Sequence, residues 1–156
     1  MAEEIERKFL VRDNAYRKSG IPHYIHQGFL STEKDRVVRI RILDNDAFLT
    51  IKGLTKGISR AEYEYRIPVA DAKSMLDHLC LKPTIEKYRY KIDVDGYTWE
   101  VDEFLGENEG LVIAEIELEH EGQEFTKPAW IGEEVSHDPR YYNANLVKNP
   151  FKHWQK

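Results

Sequence analysis

The chain has 156 residues, of which 33% are charged and 41% hydrophobic, and it contains one cysteine. This composition predicts one folded domain over residues 1–156 and excludes a disulfide framework or a disordered chain. The formal net charge of -5 argues against general nucleic-acid binding. No apolar stretch reaches the roughly 18 residues that span a bilayer, so we expect no membrane segment and a cytoplasmic protein.

The first predicted strand, Glu4–Leu10, has an unusual charged face. Side chains alternate across a strand, so Glu4, Glu6 and Lys8 project to the same side. Two adjacent carboxylates repel each other unless a cation lies between them, and a nearby lysine can hold an anion that this cation also binds. The pattern indicates a metal bound to an anion, although a charged face that only meets water is the alternative.

The segments after it are mostly strands with one apolar and one charged face. Residues Asp13–Pro22 predict a short helical or irregular connection, and the turns at 44–46 and 95–96 predict hairpins. With Glu4–Leu10 the chain has about eight strands. The other predicted strands are Tyr24–Leu30, Arg36–Leu43, Ala47–Lys52, Arg60–Pro68, Ile85–Val94, Tyr97–Phe104 and Leu111–Glu119.

Two helical segments interrupt this series. Helical spacing of apolar residues predicts a helix over Asp71–Leu81, with Asp71 as its N-terminal cap. The less regular tail predicts a short helix that begins near Pro139, is capped by Ser136 or Asp138, and acts as a lid or plug.

The charged strand faces sort by sign. Periodicity alone allows them to face either solvent or a central channel. A solvated sheet does not need separated charges, and these faces contain few of the Ser, Asn and Gln residues common on solvated strands, so we predict that they face inward. The cationic group is Arg39, Arg41, Lys52, Lys87 and Arg89, and the acidic group is Glu4, Glu6, Asp102, Glu115 and Glu117.

Such a concentration of charge inside a protein is costly unless ligands complete it. Arginine and lysine suit phosphate oxygens. Carboxylates without cysteine or paired histidine ligands favour Mg²⁺ or Mn²⁺ over zinc. The two groups together predict a polyphosphate and a divalent metal.

The sequence resembles the CYTH, or triphosphate tunnel metalloenzyme, superfamily, and specifically its short bacterial members. The resemblance runs from Glu4 to about Leu146 and implies an α+β, mainly β fold: a closed eight-stranded antiparallel β-barrel, or tunnel, with helices packed outside and a C-terminal plug helix. It also implies metal-dependent hydrolysis of a linear triphosphate. The motifs that carry it are, in order, EIERKFL, VVRIRI, FLTIKG, AEYEYRI, IEKYRYKI, WEVDEF, AEIELE and GEEVSHDPRYYNANL.

The resemblance also implies residue roles. Glu4, Glu6 and Glu117 would hold the metal that grips the phosphates, and Asp102 and Glu115 match positions associated with a second metal and the attacking water. Glu62 and Glu64 would orient the cations or the water. Phe29 stands where several relatives have tyrosine, and Arg140 and Tyr141 match a closing segment of structural character. The residues that would clasp the phosphates are Lys8, Arg39, Arg41, Lys52, Lys87 and Arg89.

The predicted reaction is hydrolysis of inorganic triphosphate to pyrophosphate and phosphate with Mg²⁺ or Mn²⁺. Its catalytic residues would be Glu4, Glu6, Lys8, Lys52, Lys87, Asp102 and Glu117. Other activities among relatives leave alternatives open: a class IV-type adenylate cyclase, or a thiamine or nucleoside triphosphatase. A polyphosphate-binding module without turnover is the non-enzyme alternative. Outward-facing tyrosines leave a homodimer open as well.

Overall fold

A computed structural model describes residues 3–154. The predicted strands all form, three of them (β3, β6 and β7) at the predicted bounds, and one further strand, β9, was not predicted. The strands are β1 (Glu3–Val11), β2 (Pro22–Glu33), β3 (Arg36–Leu43), β4 (Asp46–Lys52), β5 (Ser59–Ile67), β6 (Ile85–Val94), β7 (Tyr97–Phe104), β8 (Val112–Glu117) and β9 (Ile131–Glu134); the α-helices are α1 (Val69–His78) and α2 (Asn143–Lys148).

Eight of the strands form an antiparallel ring, as predicted. The hydrogen-bonded order is β5-β4-β3-β2-β6-β7-β8-β1, and β1 returns to β5 through the pairs Glu3–Ala61, Glu4–Arg60 and Ile5–Ser59. Strand β9 lies outside this ring and pairs with the far end of β1, where Phe9 faces Glu134 in the register. The ring therefore brings strands that are distant in sequence around one central space.

The charged strand faces point into this space and the apolar faces point away from it. One outer cluster covers β1, β6, β7 and β8, with Phe9, Trp99 and Ile116 at its centre and Trp130 from the following loop packed on it. A second outer cluster joins Ile40 and Ala47 to the helix α1. The prediction that charges line the interior is confirmed by this packing.

One end of the interior is apolar. Phe29, Ile85 and Phe104 form a buried cluster there, and Leu146 and Val147 of α2 insert into it. The C-terminal helix thus closes part of the tunnel, as the predicted plug. Ahead of it, the carboxylate of Asp138 accepts a hydrogen bond from the backbone N–H of Arg140 at 3.1 Å, so Asp138 is the capping residue of the short 3-10 turn Pro139–Tyr141.

Helix α1 begins earlier than predicted. Pro68 occupies the N-cap position in an extended conformation, and Asp71 lies inside the first turn, where its charge still favours the positive helix end. The helix packs so closely on β2 that a Cβ atom at Gly28 would lie 2.9 Å from side-chain atoms of Leu76 and Cys80. Glycine at position 28 therefore sets the distance between helix and ring.

The tyrosines on the outer strand faces differ in solvent exposure. Tyr90 is buried beneath Tyr16, with ring centroids 5.3 Å apart, whereas Tyr63, Tyr65 and Tyr88 are exposed. The homodimer stays a prediction. Among residues 3–154, no helix has the length and apolar character needed to cross a membrane.

Candidate active site

A cavity of about 560 Å³ occupies the interior of the ring. The predicted site residues converge on it from β1, β3, β4, β6 and β8. Of residues 3–154, those that line the cavity include every predicted site residue except Asp102. The lining site residues are Glu4, Glu6, Lys8, Arg39, Arg41, Lys52, Lys87, Arg89, Glu115 and Glu117.

Asp102 lies behind the cavity wall and is fully committed to two cations. Its carboxylate accepts two hydrogen bonds from Arg89, at 2.8 and 2.9 Å, and lies 2.7 Å from the ammonium of Lys87. Burial raises the pKa of Asp102, but Arg89 and Lys87 outweigh burial and lower it to about 2. In this arrangement Asp102 is the counter-ion that holds the two bases in place, and its predicted contact with a metal stays a prediction.

The cations around Asp102 outnumber their anions. Burial, and then the neighbouring charges of Arg39 and Arg89, lower the pKa of Arg41 to about 9. Burial also lowers the pKa of Lys87 to about 7, with Arg89 and Arg41 adding to the effect against Asp102. Among residues 3–154, the buried Nε atom of Arg39 has no hydrogen-bond partner. We call this part of the cavity the basic sector (Arg39, Arg41, Lys87 and Arg89). Burial lowers the pKa of Arg89, but Asp102 outweighs burial and raises it, so the shortage of negative charge falls on Arg41 and Lys87.

The opposite imbalance occurs around Glu117. Burial raises the pKa of Glu117, and the nearby carboxylates of Glu4, Glu62, Glu6 and Glu100 raise it further. We call these five residues the acidic sector. Because the other four carboxylates disfavour ionisation of Glu117, a cation bound beside it would lower the electrostatic free energy of the group.

Two lysines lie within reach of these carboxylates. Lys8 donates to Glu6 at 2.9 Å and to Glu115 at 3.0 Å, and these partners outweigh burial and raise its pKa. Lys52 lies 3.0 Å from Glu4 and 3.3 Å from Glu62. Both lysines thus occupy carboxylate oxygens that could otherwise bind a metal.

Several polar residues at the site were not predicted, among them Glu100, Thr50, Gln27 and Asn143. Glu100 lines the cavity, and its carboxylate lies 3.4 Å from Arg89. The hydroxyl of Thr50 donates to Glu64 at 2.9 Å and accepts from Arg39 at 3.2 Å. Gln27 and Asn143 bond to each other at 2.8 Å. Strand alternation places Glu100, Thr50 and Gln27 on inward faces and could have found them, whereas Asn143 belongs to an irregular tail where no periodicity applies.

The remaining predicted positions are at the margins of the site. Phe29 is buried in the apolar cluster at the plug end and also lines the cavity. Arg140 pairs with Asp138 and lies over the rings of Tyr141 and Trp154, at 5.5 and 5.1 Å from their centroids. Glu64 contacts Arg39 at 3.5 Å, and Glu62 contacts Lys52. Glu62 and Glu64 thus contact cations of the kind that they were predicted to orient.

The donor set fits a hard divalent cation in chemistry. Over residues 3–154 no group of three or more His, Cys, Asp or Glu side chains is arranged to hold a metal ion. The lysine contacts account for this, since Lys8 and Lys52 hold Glu6 and Glu4. Burial and then the four neighbouring carboxylates nevertheless raise the pKa of Glu117, which is the effect that a bound cation would offset. Oxygen donors of this kind suit Mg²⁺ or Mn²⁺.

Comparisons with a family model, with curated proteins and with solved structures all find matches over most of this chain. The model of the CYTH domain matches residues 2–142. An inorganic triphosphatase of Acetivibrio thermocellus is 55% identical over 156 residues, which is 100% of both chains, and one of Nitrosomonas europaea is 39% identical over 92% of this chain and 96% of its own. A crystal structure of the inorganic triphosphatase NE1496 is 34% identical, covers 92% of this chain and 96% of its own, and superposes with a TM-score of 0.65.

Proposed function

The chain belongs to the CYTH domain family, and from this premise we propose that it is a hydrolase that cleaves inorganic triphosphate to pyrophosphate and phosphate. One observation carries the proposal: a single cavity contains a basic sector short of anions and an acidic sector short of cations. A triphosphate with a divalent metal supplies both deficits at once. A phosphate-binding site alone would need no additional carboxylates.

The basic sector would bind the phosphate chain. Arg39 and Arg41 come from alternate positions of β3, and Arg89 comes from β6, two strands away in the ring, so together they approach a linear anion from two sides. Their planar guanidinium groups donate paired hydrogen bonds to phosphate oxygens. The free Nε of Arg39 is one donor that such an oxygen would satisfy.

Lys8 and Lys52 stand at the boundary of the two sectors. Their ammonium groups now bind carboxylates at 2.9–3.1 Å, and each could turn to a phosphate oxygen once a metal neutralises those carboxylates. Glu62 would restrict the movement of Lys52, which it contacts from β5, and Glu64 would orient Arg39. Lys8 and Lys52 would then neutralise negative charge on the phosphate chain.

The metal would be held by Glu4, Glu6 and Glu117, with Glu115 close by. When bound, Mg²⁺ or Mn²⁺ would neutralise phosphate oxygens and lower the pKa of a bound water. In the reaction, water adds its oxygen to a terminal phosphorus, the P–O bond to the bridging oxygen breaks, and pyrophosphate leaves with that oxygen. Arg89 and Lys87, fixed by Asp102, would stabilise the negative charge that develops on the leaving group.

A substrate panel tests the proposal. Phosphate release is measured with tripolyphosphate, ATP and thiamine triphosphate, each with Mg²⁺, with Mn²⁺ and after chelation, and cyclic AMP is assayed in the ATP reactions. We expect the highest kcat/KM with tripolyphosphate and no turnover after chelation. Faster turnover of ATP or thiamine triphosphate, or cyclic AMP as the main product, would replace the proposed substrate; no turnover with any substrate would leave a binding module.

A further inference from the structure

A chain of partly buried polar contacts joins the basic sector to the plug helix. The Nε of Arg41 donates to Gln27 at 3.1 Å, and the amide nitrogen of Gln27 donates to Asn143 at 2.8 Å. Asn143 also accepts from the ammonium of Lys87 at 2.9 Å, and Lys87 contacts Asp102, which holds Arg89. Three cations from two strands are therefore linked through two amides to which the proposed reaction assigns no role.

The directions of the hydrogen bonds require an amide at position 27. The oxygen of Asn143 receives two donors, from Lys87 and Gln27, so Gln27 must present its NH₂ group to Asn143 and its oxygen to Arg41. A carboxylate at position 27 would face the Asn143 oxygen with a second acceptor. An apolar side chain there would leave a buried Nε of Arg41 without a partner, which costs free energy.

Gln27 acts only through its neighbours. It is 0% exposed and, among residues 3–154, it is not one of those that line the cavity, so it cannot touch a ligand there. Asn143 is the first residue of α2, which is anchored by Leu146 and Val147 in the apolar cluster. The Asn143 oxygen is consequently held at a fixed place relative to the ring, and Lys87 is held with it.

We infer that Gln27 and Asn143 are positioning residues for phosphate binding: they make the geometry of Arg41 and Lys87 depend on docking of the plug helix. The inference rests on the proposed function, since it takes the phosphate chain as the ligand of these cations. Without the two amides, each cation would sample other rotamers, and part of the binding free energy would be lost in ordering them.

Affinity for tripolyphosphate in the presence of a chelator tests the inference without metal or turnover. Isothermal titration calorimetry at 25 °C would compare wild type with Asn143→Ala, Gln27→Leu and the double variant, each verified as folded by circular dichroism. We expect Kd to rise about tenfold, or about 1.4 kcal/mol, in each single variant. The rise in the double variant should be smaller than the two single losses combined, because the Gln27–Asn143 bond is already lost in each single variant. Lys148→Ala, an exposed change in the same helix, is the matched control and should leave Kd unchanged.

The results separate positioning from packing and from the reaction itself. Single variants whose Kd stays within twofold of wild type would overturn the inference, even if their thermal midpoints fall, because that pattern assigns the amides to packing alone. Additive losses in the double variant would also overturn it. A wild type that binds tripolyphosphate without hydrolysing it in Mg²⁺ or Mn²⁺ would overturn the proposed function, while the Kd comparison would still decide the role of the amides.

Discussion

Replacement of Asp102 by asparagine separates the metal-binding role predicted from the sequence from the counter-ion role indicated by its contacts with Arg89 and Lys87. Asp102 is 1% exposed and neutralises Arg89 and Lys87. Removal of one partner from a buried ion pair costs about 3–5 kcal/mol, and we expect the lower end, about 3, because the amide oxygen still accepts one hydrogen bond. For a chain of this size, about 2–4 °C per kcal/mol predicts a fall in the thermal midpoint of about 6–12 °C in metal-free protein.

The same variant should respond more strongly to ligand. Tripolyphosphate offers the missing negative charge to Arg89 and Lys87, so its addition should raise the midpoint of Asp102→Asn by more than it raises that of wild type. Differential scanning calorimetry in chelator, with and without tripolyphosphate, measures both effects. Asp35→Asn, at an exposed ion pair with Arg36, is the control and should shift the midpoint by less than about 2 °C.

The counter-ion role and the metal-ligand role of Asp102 predict opposite changes in the thermal midpoint of the metal-free protein. If Asp102 served mainly as a metal ligand, its removal from metal-free protein would relieve repulsion among carboxylates and raise the midpoint. An unchanged or raised midpoint, or a ligand response no larger than that of wild type, would refute its assignment as the counter-ion.

Three further predictions concern the two sectors. Glu117→Gln should reduce turnover of tripolyphosphate at least about 100-fold. It should also raise the thermal midpoint in chelator, because the raised pKa of Glu117 means that its charge is unfavourable in the folded protein. A lowered midpoint would contradict repulsion between Glu117 and the neighbouring carboxylates. Since the pKa of Lys87 is about 7 without ligand and an anion would raise it, tripolyphosphate binding at pH 8 should take up a proton, seen as a dependence of the binding enthalpy on the ionisation enthalpy of the buffer. Affinity should accordingly fall as the pH rises above 7, and proton uptake that persists in Lys87→Met would locate the titrating group elsewhere. Arg39→Lys keeps the positive charge but loses the paired hydrogen-bond donors of the guanidinium group, so KM for tripolyphosphate should rise about tenfold. An unchanged KM would show that Arg39 contributes charge only.

Strand alternation was sufficient to predict most of the ring. The bounds of β3, β6 and β7 follow from clear alternation and from hairpin turns such as Asp95-Gly96, where Asp95 has a φ of 50° and Gly96 of 83°. Strand β9 could not be predicted in this way, because four residues against one edge of β1 are too few for a periodic signal. Its pairing depends on the register of β1, which is a tertiary property.

The inward direction of the charges came from their separation by sign, and not from periodicity. That reasoning located the lining residues but could not say which carboxylate serves which cation. Asp102 and Glu100 share one face of β7, yet one is fully buried between two bases while the other lines the cavity. The difference depends on depth along the tunnel, which the tilt and stagger of the strands determine.

Gln27 was missed for a related reason. Alternation places Gln27 on the inward face of β2, but its role becomes visible only when α2 brings Asn143 opposite to it. A helix in the tail was predicted to begin near Pro139, but Pro139–Tyr141 forms a separate 3-10 turn and α2 begins at Asn143. The residue that α2 presents to the cavity depends on how Leu146 and Val147 pack.

A crystal structure with tripolyphosphate and Mn²⁺, in Glu117→Gln to slow turnover, tests the central claim most directly. The account predicts a triphosphate chain against Arg39, Arg41 and Arg89 inside the ring, and an anomalous Mn²⁺ signal among the carboxylates of Glu4 and Glu6. A triphosphate bound on the outer surface, or Mn²⁺ remote from both carboxylates, would contradict it.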